Sequence, residues 1–491
     1  MTLPARTQLA NEDLLPVAPE RRTWNWWHIA SLWIGMAICI PTYTLASGLM
    51  ASGWTWQAAV GAVILGNLVV LVPIALNSHA GTRYGIPFPV LARASFGVLG
   101  ANVPALLRGL VACGWFGIQT WIGGWAIYKL FEVLWPGIAT LPQILPAFVG
   151  LNTGEFLCFM LFWAMNVWIV LRGMESIKFL ETWGSPFLLA VGAALFIWAW
   201  VRSGGLGPML QNPPIGPSAH RPIGSVFGAG LTSAVAFWGT MALSIPDFSR
   251  YARSQRDQVI GQAVGLPATM ALFAFIGAAV TNATVVIFGT RIADPVALLA
   301  RIGGPLMIML SMAGLVVATL TTNIAANIVA PANAFSNLAP HKITFKQGAI
   351  ITAVIGILMM PWRLYNDAAA YIFTWLIGYG ALLGPVAGIM IADYFFVRRG
   401  ELVLNDLYKR HGVYEYSRGF NWIAVGALAI GVAPSLPGFV SALRGVPETG
   451  VFGTLYNWAW FVGFLLSALI HVVGMRVMPG SSKWGAAGAV A

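Results

Sequence analysis

Charge is what this sequence has least of. Lysine and arginine number 27 and the acids 16 among 491 residues, so only 9% of the chain is charged, against about a quarter of a typical soluble domain. A water-soluble globule of this length needs far more polar surface, which excludes a soluble enzyme. Cysteine is scarce too. Cys39, Cys113 and Cys158 lie in apolar runs without CxxC spacing, which argues against a metal site or disulfide framework and leaves them as small lipid- or core-facing residues. No Walker-type loop is present, so ATP-driven chemistry lacks its engine. The six histidines show neither HxxxH nor HExxH spacing, against a membrane metalloprotease.

What fills the chain is apolar: 58% of residues are hydrophobic and the mean hydropathy is +0.76. A membrane crossing takes roughly 20 apolar residues. Twelve candidate runs emerge, near 27–50, 56–77, 103–128, 154–171, 179–201, 225–246, 259–288, 305–335, 348–364, 369–396, 420–440 and 455–475. Residues 1–24 carry Glu12, Asp13 and Glu20 without a cleavable apolar core, so a disordered tail is expected there, not a secretory signal. With that tail in the cytoplasm, 20 of the 27 lysines and arginines fall on the inner side. The positive-inside rule therefore places both termini inside a cell membrane. The net charge of +11 is a topology signal, since its basic residues sit in short loops and form no stripe for nucleic acid.

The chain matches itself. Residues 33–43 read WIGMAICIPTY and residues 238–248 read WGTMALSIPDF. Trp33/Trp238, Met36/Met241, Ala37/Ala242, Ile40/Ile245 and Pro41/Pro246 are identical at one constant offset. These are the first and sixth runs, so the copies enter the membrane from opposite sides, the mark of an inverted repeat. Each proline removes a backbone donor in mid-run. Broken helices at membrane depth are tolerated where they line a cavity or coordinate an ion, which points to a site between the two halves.

Two residue sets lie near these breaks. The third run reads ACGWFGIQTWIGG, with Trp115 and Gln119 four apart on one helical face. The sixth supplies Trp238, and the eighth, ATLTTNIAANIVAP, supplies Asn323 and Asn327. Indole faces and amide groups suit a flat, uncharged heterocycle bearing N–H and C=O groups. The plainer alternative is that the amides join helices and the tryptophans anchor interfaces. The second set is Ala318, Thr321 and Thr322 together with the carbonyls of Ala37 and Ile40, five oxygens of the kind a hard monovalent cation takes. The alternative there is that the threonine hydroxyls bond back one turn. No acid lies deep in a run. Asp247 and Asp393 sit near run ends, where local ion pairing is expected, and this absence favours sodium over proton coupling.

At these residues the chain resembles the nucleobase–cation symporter-1 family, especially its hydantoin, allantoin and uracil branch. The segments that carry the resemblance are IPTYTLASGL at 40–49, NSHAGTRYGIPFPVLARASFG at 77–97, WFGIQTWIGG at 115–124, GMESIK at 173–178, IPDFSRYA at 245–252, TNIAANIVAPANAFSNLAP at 322–340 and GPVAGIMIADYF at 384–395. The resemblance implies an all-α membrane fold of twelve transmembrane helices, a leucine-transporter-like five-plus-five inverted repeat with two additional C-terminal helices. It divides the chain into a tail at 1–24, a first repeat at 25–202, a second at 203–399, two extra helices at 400–476 and a tail at 477–491. It implies that Trp115 and Trp238 sandwich the ring, that Gln119 and Asn327 read its edge, and that Ala37, Ile40, Ala318, Thr321 and Thr322 hold Na⁺. Thr321 stands where sodium-coupled members often have serine.

The expected activity is symport of a small heterocycle with Na⁺ by alternating access, with H⁺ as the alternative ion, no enzymatic cofactor and no catalytic residue. Gly378, Gly380 and Gly384 of the tenth run, and Ser185-Pro186 of the fifth, are either flexible gates or close packing points. A channel would need a ring of charges or a filter-like repeat, and a membrane enzyme a nucleophile–base pair or metal cluster. Neither pattern is present in the sequence.

Overall fold

The structure is a computed structural model, and it describes residues 9–172, 189–210, 223–302, 304–365, 370–446 and 450–477. It is all-helical. Among the described residues, eight helices are long and apolar enough to cross a membrane, a bent pair makes a ninth, and Leu189–Arg202, Phe227–Phe237 and Phe345–Leu358 are shorter apolar helices. These fall, in order, on the twelve expected runs. The start of the fifth run, with Ser185-Pro186 and the GMESIK segment, lies outside the described residues. Large apolar side chains such as Val72, Trp168 and Leu465 face outward, as a surface in contact with lipid requires.

The first span is broken. Trp26–Ala37 and Ile40–Ala51 meet at a 56° bend. Asn25 starts the first half by accepting from the Trp27 and His28 amides. The chain then leaves the helix at Ile38 and Cys39, the latter fully extended at φ −143°, ψ 162°. Pro41 lies in the first turn of the second half, where its missing N–H removes no helical bond. The break thus precedes the proline. The sixth span breaks earlier still relative to its own proline. Ile223–Phe237 stops at Trp238 (φ −100°, ψ 12°), Gly239–Ser244 follows, and Pro246–Ser249 is a third short piece.

Packing divides the bundle. Spans 1, 2, 6 and 7 pack on one another, and spans 3, 4, 8 and 9 form a second group. The third span, Asn102–Leu134, is more enclosed than the other long unbroken helices among the first eight spans. The eighth, Pro305–Asn327, leans on it and restarts after Ile328 as Val329–Leu338. The tenth begins as a wide π-turn at Ala370–Leu376, continues as Ile377–Ala392 and ends in a second at Asp393–Val397. Its glycines are packing points. A methyl on Gly380 would lie 2.8 Å from Ala236 Cβ, and one on Gly384 2.8 Å from the Trp460 carbonyl.

Residues 9–24 are ordered against the helical ends, not a free tail. Leu9, Ala10 and Leu14 are buried. Arg93 Nη2 donates to Leu9 O, Tyr408 Oη to Leu14 O and Arg250 Nη1 to Asp13 O, each at 2.8 Å. The strap supplies backbone carbonyls that these buried donors need. Arg93 itself sits on a wholly buried helix, Phe88–Phe96, folded between spans 2 and 3.

Candidate substrate and ion site

Trp115 lies midway along the third span and is buried. Four rings meet it edge to face, with planes 64° to 87° apart: Phe237 at 5.4 Å, Tyr371 and Trp375 at 6.1 Å, and Tyr379 at 6.3 Å. Trp238, also buried, meets Phe237 at 5.2 Å and Trp33 at 5.0 Å. Phe237 therefore touches both candidate indoles, and the break of the sixth span is what turns adjacent residues 237 and 238 toward the third and first spans. Gln119, one turn beyond Trp115, is buried beside Cys39 at the break of the first span.

The polar atoms of this cluster are orphaned. The indole N–H groups of Trp115, Trp238 and Trp375 and the Gln119 amide oxygen are buried without a hydrogen-bond partner, and the Tyr379 hydroxyl faces Trp115 without closing a bond. Leaving such a group unpaired costs about 1–3 kcal/mol. An N–H/C=O-bearing ring is the chemistry that would satisfy donors and an acceptor set among aromatic faces.

The two asparagines of the eighth span have different surroundings. Asn323 Nδ2 reaches Thr120 Oγ1 at 3.1 Å, Asn166 Oδ1 at 3.2 Å and Phe116 O at 3.3 Å. It joins spans 3, 4 and 8. Asn327 Nδ2 donates to Asn323 Oδ1 at 3.1 Å, which fixes the side chain at the end of the helical segment.

The ion set is brought together in part. Thr322 Oγ1 reaches across to the first span, but to Gly35 O at 3.3 Å. Thr321 Oγ1 bonds back to Val317 O at 2.9 Å. The Ala37 carbonyl accepts from Cys39 N at 3.0 Å and the Ile40 carbonyl from Thr44 Oγ1 at 2.8 Å. Ala318 lies on the same helix, one turn before Thr322. The first and eighth spans thus touch through Thr322 and Gly35, while the two threonine hydroxyls and the Ala37 and Ile40 carbonyls hold separate partners.

The acids behave differently from each other. Asp393 is fully buried and pairs with Arg398 Nε at 2.6 Å, with His471 Nε2 at 3.1 Å. Asp247 accepts from the Phe88 amide at 3.0 Å, whereas Arg250 Nε donates to its main-chain carbonyl. The aromatic cage on the tenth span had no sequence signal beyond its tyrosines and tryptophan. Trp33 had one: it occupies the Trp238 position in the self-match.

A family model described as permeases for cytosine/purines, uracil, thiamine and allantoin matches residues 16–463. A purine-uracil permease from Arabidopsis thaliana is 45% identical over 473 residues, covering 95% of this chain and 78% of the relative. An allantoin permease from Bacillus subtilis is 42% identical over 479 residues, covering 97% and 95%. The solved structure of Mhp1, a nucleobase-cation-symport-1 family transporter in a closed conformation with bromovinylhydantoin bound, superposes with a TM-score of 0.79. It is 27% identical and covers 97% of this chain and 99% of that one.

Proposed function

Because the chain belongs to the nucleobase–cation symporter-1 family of membrane permeases, and so is a multi-pass transporter and not an enzyme, we propose that it imports a flat, uncharged nitrogen heterocycle of the allantoin, hydantoin or uracil class together with Na⁺. The observation that carries this reading is the orphaned set of Trp115, Trp238 and Gln119 polar atoms gathered among aromatic rings at the break of the first span. Trp115 and Trp238 present ring faces, Gln119 reads the amide edge, and Asn327 contributes from the eighth span.

Sodium enters between the first and eighth spans. Rotation of Thr321 and Thr322 off Val317 and Gly35 turns both hydroxyls toward the Ala37, Ile40 and Ala318 carbonyls. Ion binding then pins the broken first span and orders the ring site, and ring binding strengthens ion binding by the same factor, since coupling is reciprocal. The group of spans 1, 2, 6 and 7 rocks against spans 3, 4, 8 and 9 to switch the open side. In this reading residues 25–202 and 203–399 are the two inverted repeats, 400–476 the extra helices, and both termini are cytoplasmic. The Thr321 back-bond and the engaged Ala37 and Ile40 carbonyls favour H⁺ as the second reading of the coupling ion.

Uptake of labelled allantoin, uracil and hydantoin into proteoliposomes tests both parts. Wild type accumulates one of the three, and Trp115→Ala and Asn327→Ala abolish accumulation while the protein still folds. Full uptake in both variants discards the site. Thr322→Ala removes sodium stimulation. Equal uptake by the native protein with and without Na⁺ moves the coupling to H⁺.

A further inference from the structure

Two more tryptophans follow Trp115 on the third span. Trp121 and Trp125 lie one turn apart with ring centroids 5.7 Å apart and planes 31° apart, an almost continuous aromatic wall. Trp362 extends it, 6.2 Å from Trp121. Tyr365 also lines the space, its hydroxyl 2.5 Å from Thr44 Oγ1. Together with Ser47 and Asp294 these residues line a cavity of about 310 Å³, the lower end of the size that small-molecule sites take. It lies on the side of the bundle away from the N-terminal strap. Trp115, Gln119, Trp238 and Asn327 are not among its lining residues. Tyr371 separates the two places: it borders the cavity, meets Trp115 at 6.1 Å and Tyr365 at 5.1 Å, and donates to Pro41 O at 3.3 Å.

The cavity is built, not merely open. Trp362 is held by a hydrogen bond from its indole to Val149 O at 2.8 Å and by Phe159 at 5.6 Å. Trp125 is backed by Tyr128, stacked at 5.4 Å. Asp294 starts the helix Pro295–Ile302 and accepts from the Val296 amide at 2.9 Å through Oδ1 and from the Ala297 amide; a carboxylate with about four lone-pair sites still has room to accept from a ligand. Burial pushes its carboxyl above the ordinary aspartate range, against the pull of Lys129. Rigid walls reduce the ordering that binding must bring about, and indole faces hold flat rings with little regard to their substituents.

We propose that this cavity is a second, outer binding site for the same class of ring, which lies against Trp121, Trp125 and Trp362 and donates an N–H to Asp294 before the Tyr365–Tyr371 pair parts to admit it to Trp115. The proposal rests on the reading of the carried ring given above. The outer site sorts by shape and N–H donors, and the inner site reads the amide edge afterwards.

Equilibrium dialysis of purified full-length protein against tritiated allantoin, uracil and hydantoin separates the two sites. For the ring that is carried, wild type binds in two classes, one at least tenfold weaker than the other. A Trp115→Ala/Gln119→Ala double variant loses the tight class and keeps the weak one. Adding Trp125→Ala or Asp294→Asn to it weakens the remaining binding at least tenfold. Asparagine caps a helix as well as aspartate does, so Asp294→Asn preserves the fold, and a thermal melt verifies this for each variant. Wild type that binds none of the three rings overturns the assigned substrate class. Wild type that binds in one class, with none left in the double variant, overturns the outer site and leaves the function standing. Residual binding that neither Trp125→Ala nor Asp294→Asn changes also overturns it.

Discussion

Trp33 and Trp238 occupy the same position in the two copies of the self-matching segment, and they touch: their rings meet edge to face at 5.0 Å and 85°. The repeat is therefore also a contact, one that ties the first span to the sixth beside the candidate ring site. An aromatic pair of this kind is worth about 0.5–1.5 kcal/mol beyond the area it buries. Trp33→Phe keeps a ring in place and leaves the KM of uptake within about threefold. Trp33→Ala frees Trp238 to turn, raises KM tenfold or more and lowers the melting temperature. KM unchanged in Trp33→Ala means that Trp238 is held by Phe237 alone.

Asn323 and Asn327 separate support from contact. Asn323 is the amide hub between spans 3, 4 and 8, and losing a buried hydrogen-bonded group costs about 1–3 kcal/mol. Asn323→Ala lowers the melting temperature by several degrees, and binding falls with it. Asn327→Ala removes one donor to the hub and the ligand contact proposed above. It cuts ring binding at least tenfold with a melt close to wild type. Melting curves and binding isotherms on the two variants decide the matter; the reverse pattern would exchange their roles.

The twelve apolar runs and the pairing of the first and sixth were legible because tryptophan and proline stand out in otherwise apolar sequence. The places of the breaks were less so. A proline marks the start of a new helical piece as readily as a kink, and here Pro41 and Pro246 both begin pieces, while the breaks fall at Ile38–Cys39 and Trp238. The π-turn that brings Tyr371 toward Trp115 has no residue pattern of its own. Nor has the strap: its anchoring groups are main-chain carbonyls, which any sequence supplies.

The strap makes a prediction about access. Arg22 donates to Val17 O at 3.0 Å and to Thr82 O and Arg83 O at 3.2 Å, so the peptide bonds beside Arg21 and Arg22 are held against the second span. Trypsin cuts there slowly in the intact protein. Tyr408→Phe removes the bond to Leu14 O, and Arg93→Gln the bond to Leu9 O. The pair of changes raises the rate of cutting at these sites at least tenfold, read by mass spectrometry of the released peptide. A rate equal to wild type would show that the burial of Leu9 and Leu14 and the remaining bonds of Arg250 and Arg22 hold the strap without these two.

Asp393 and Arg398 make the most exacting case, because both are buried and each depends on the other. Asp393 accepts from Arg398 at 2.6 Å, from Ser95 at 3.2 Å and faces His471 at 3.1 Å. Arg398 also reaches Ala94 O at 2.8 Å. The group joins the tenth span, the twelfth and the buried helix Phe88–Phe96. Removing one charge strands the other in a dry place, at about 3–5 kcal/mol, whereas replacing both is far milder. Arg398→Leu alone and Asp393→Asn alone are each expected to reduce folded protein severely. The double variant, which leaves no unpaired charge except through His471, recovers most of it. Recovery is measured as monodisperse protein in fluorescence size-exclusion profiles. A double variant as poor as the worse single one would place the stabilising contact in Asp393–His471, and His471→Gln alone would then reproduce the loss.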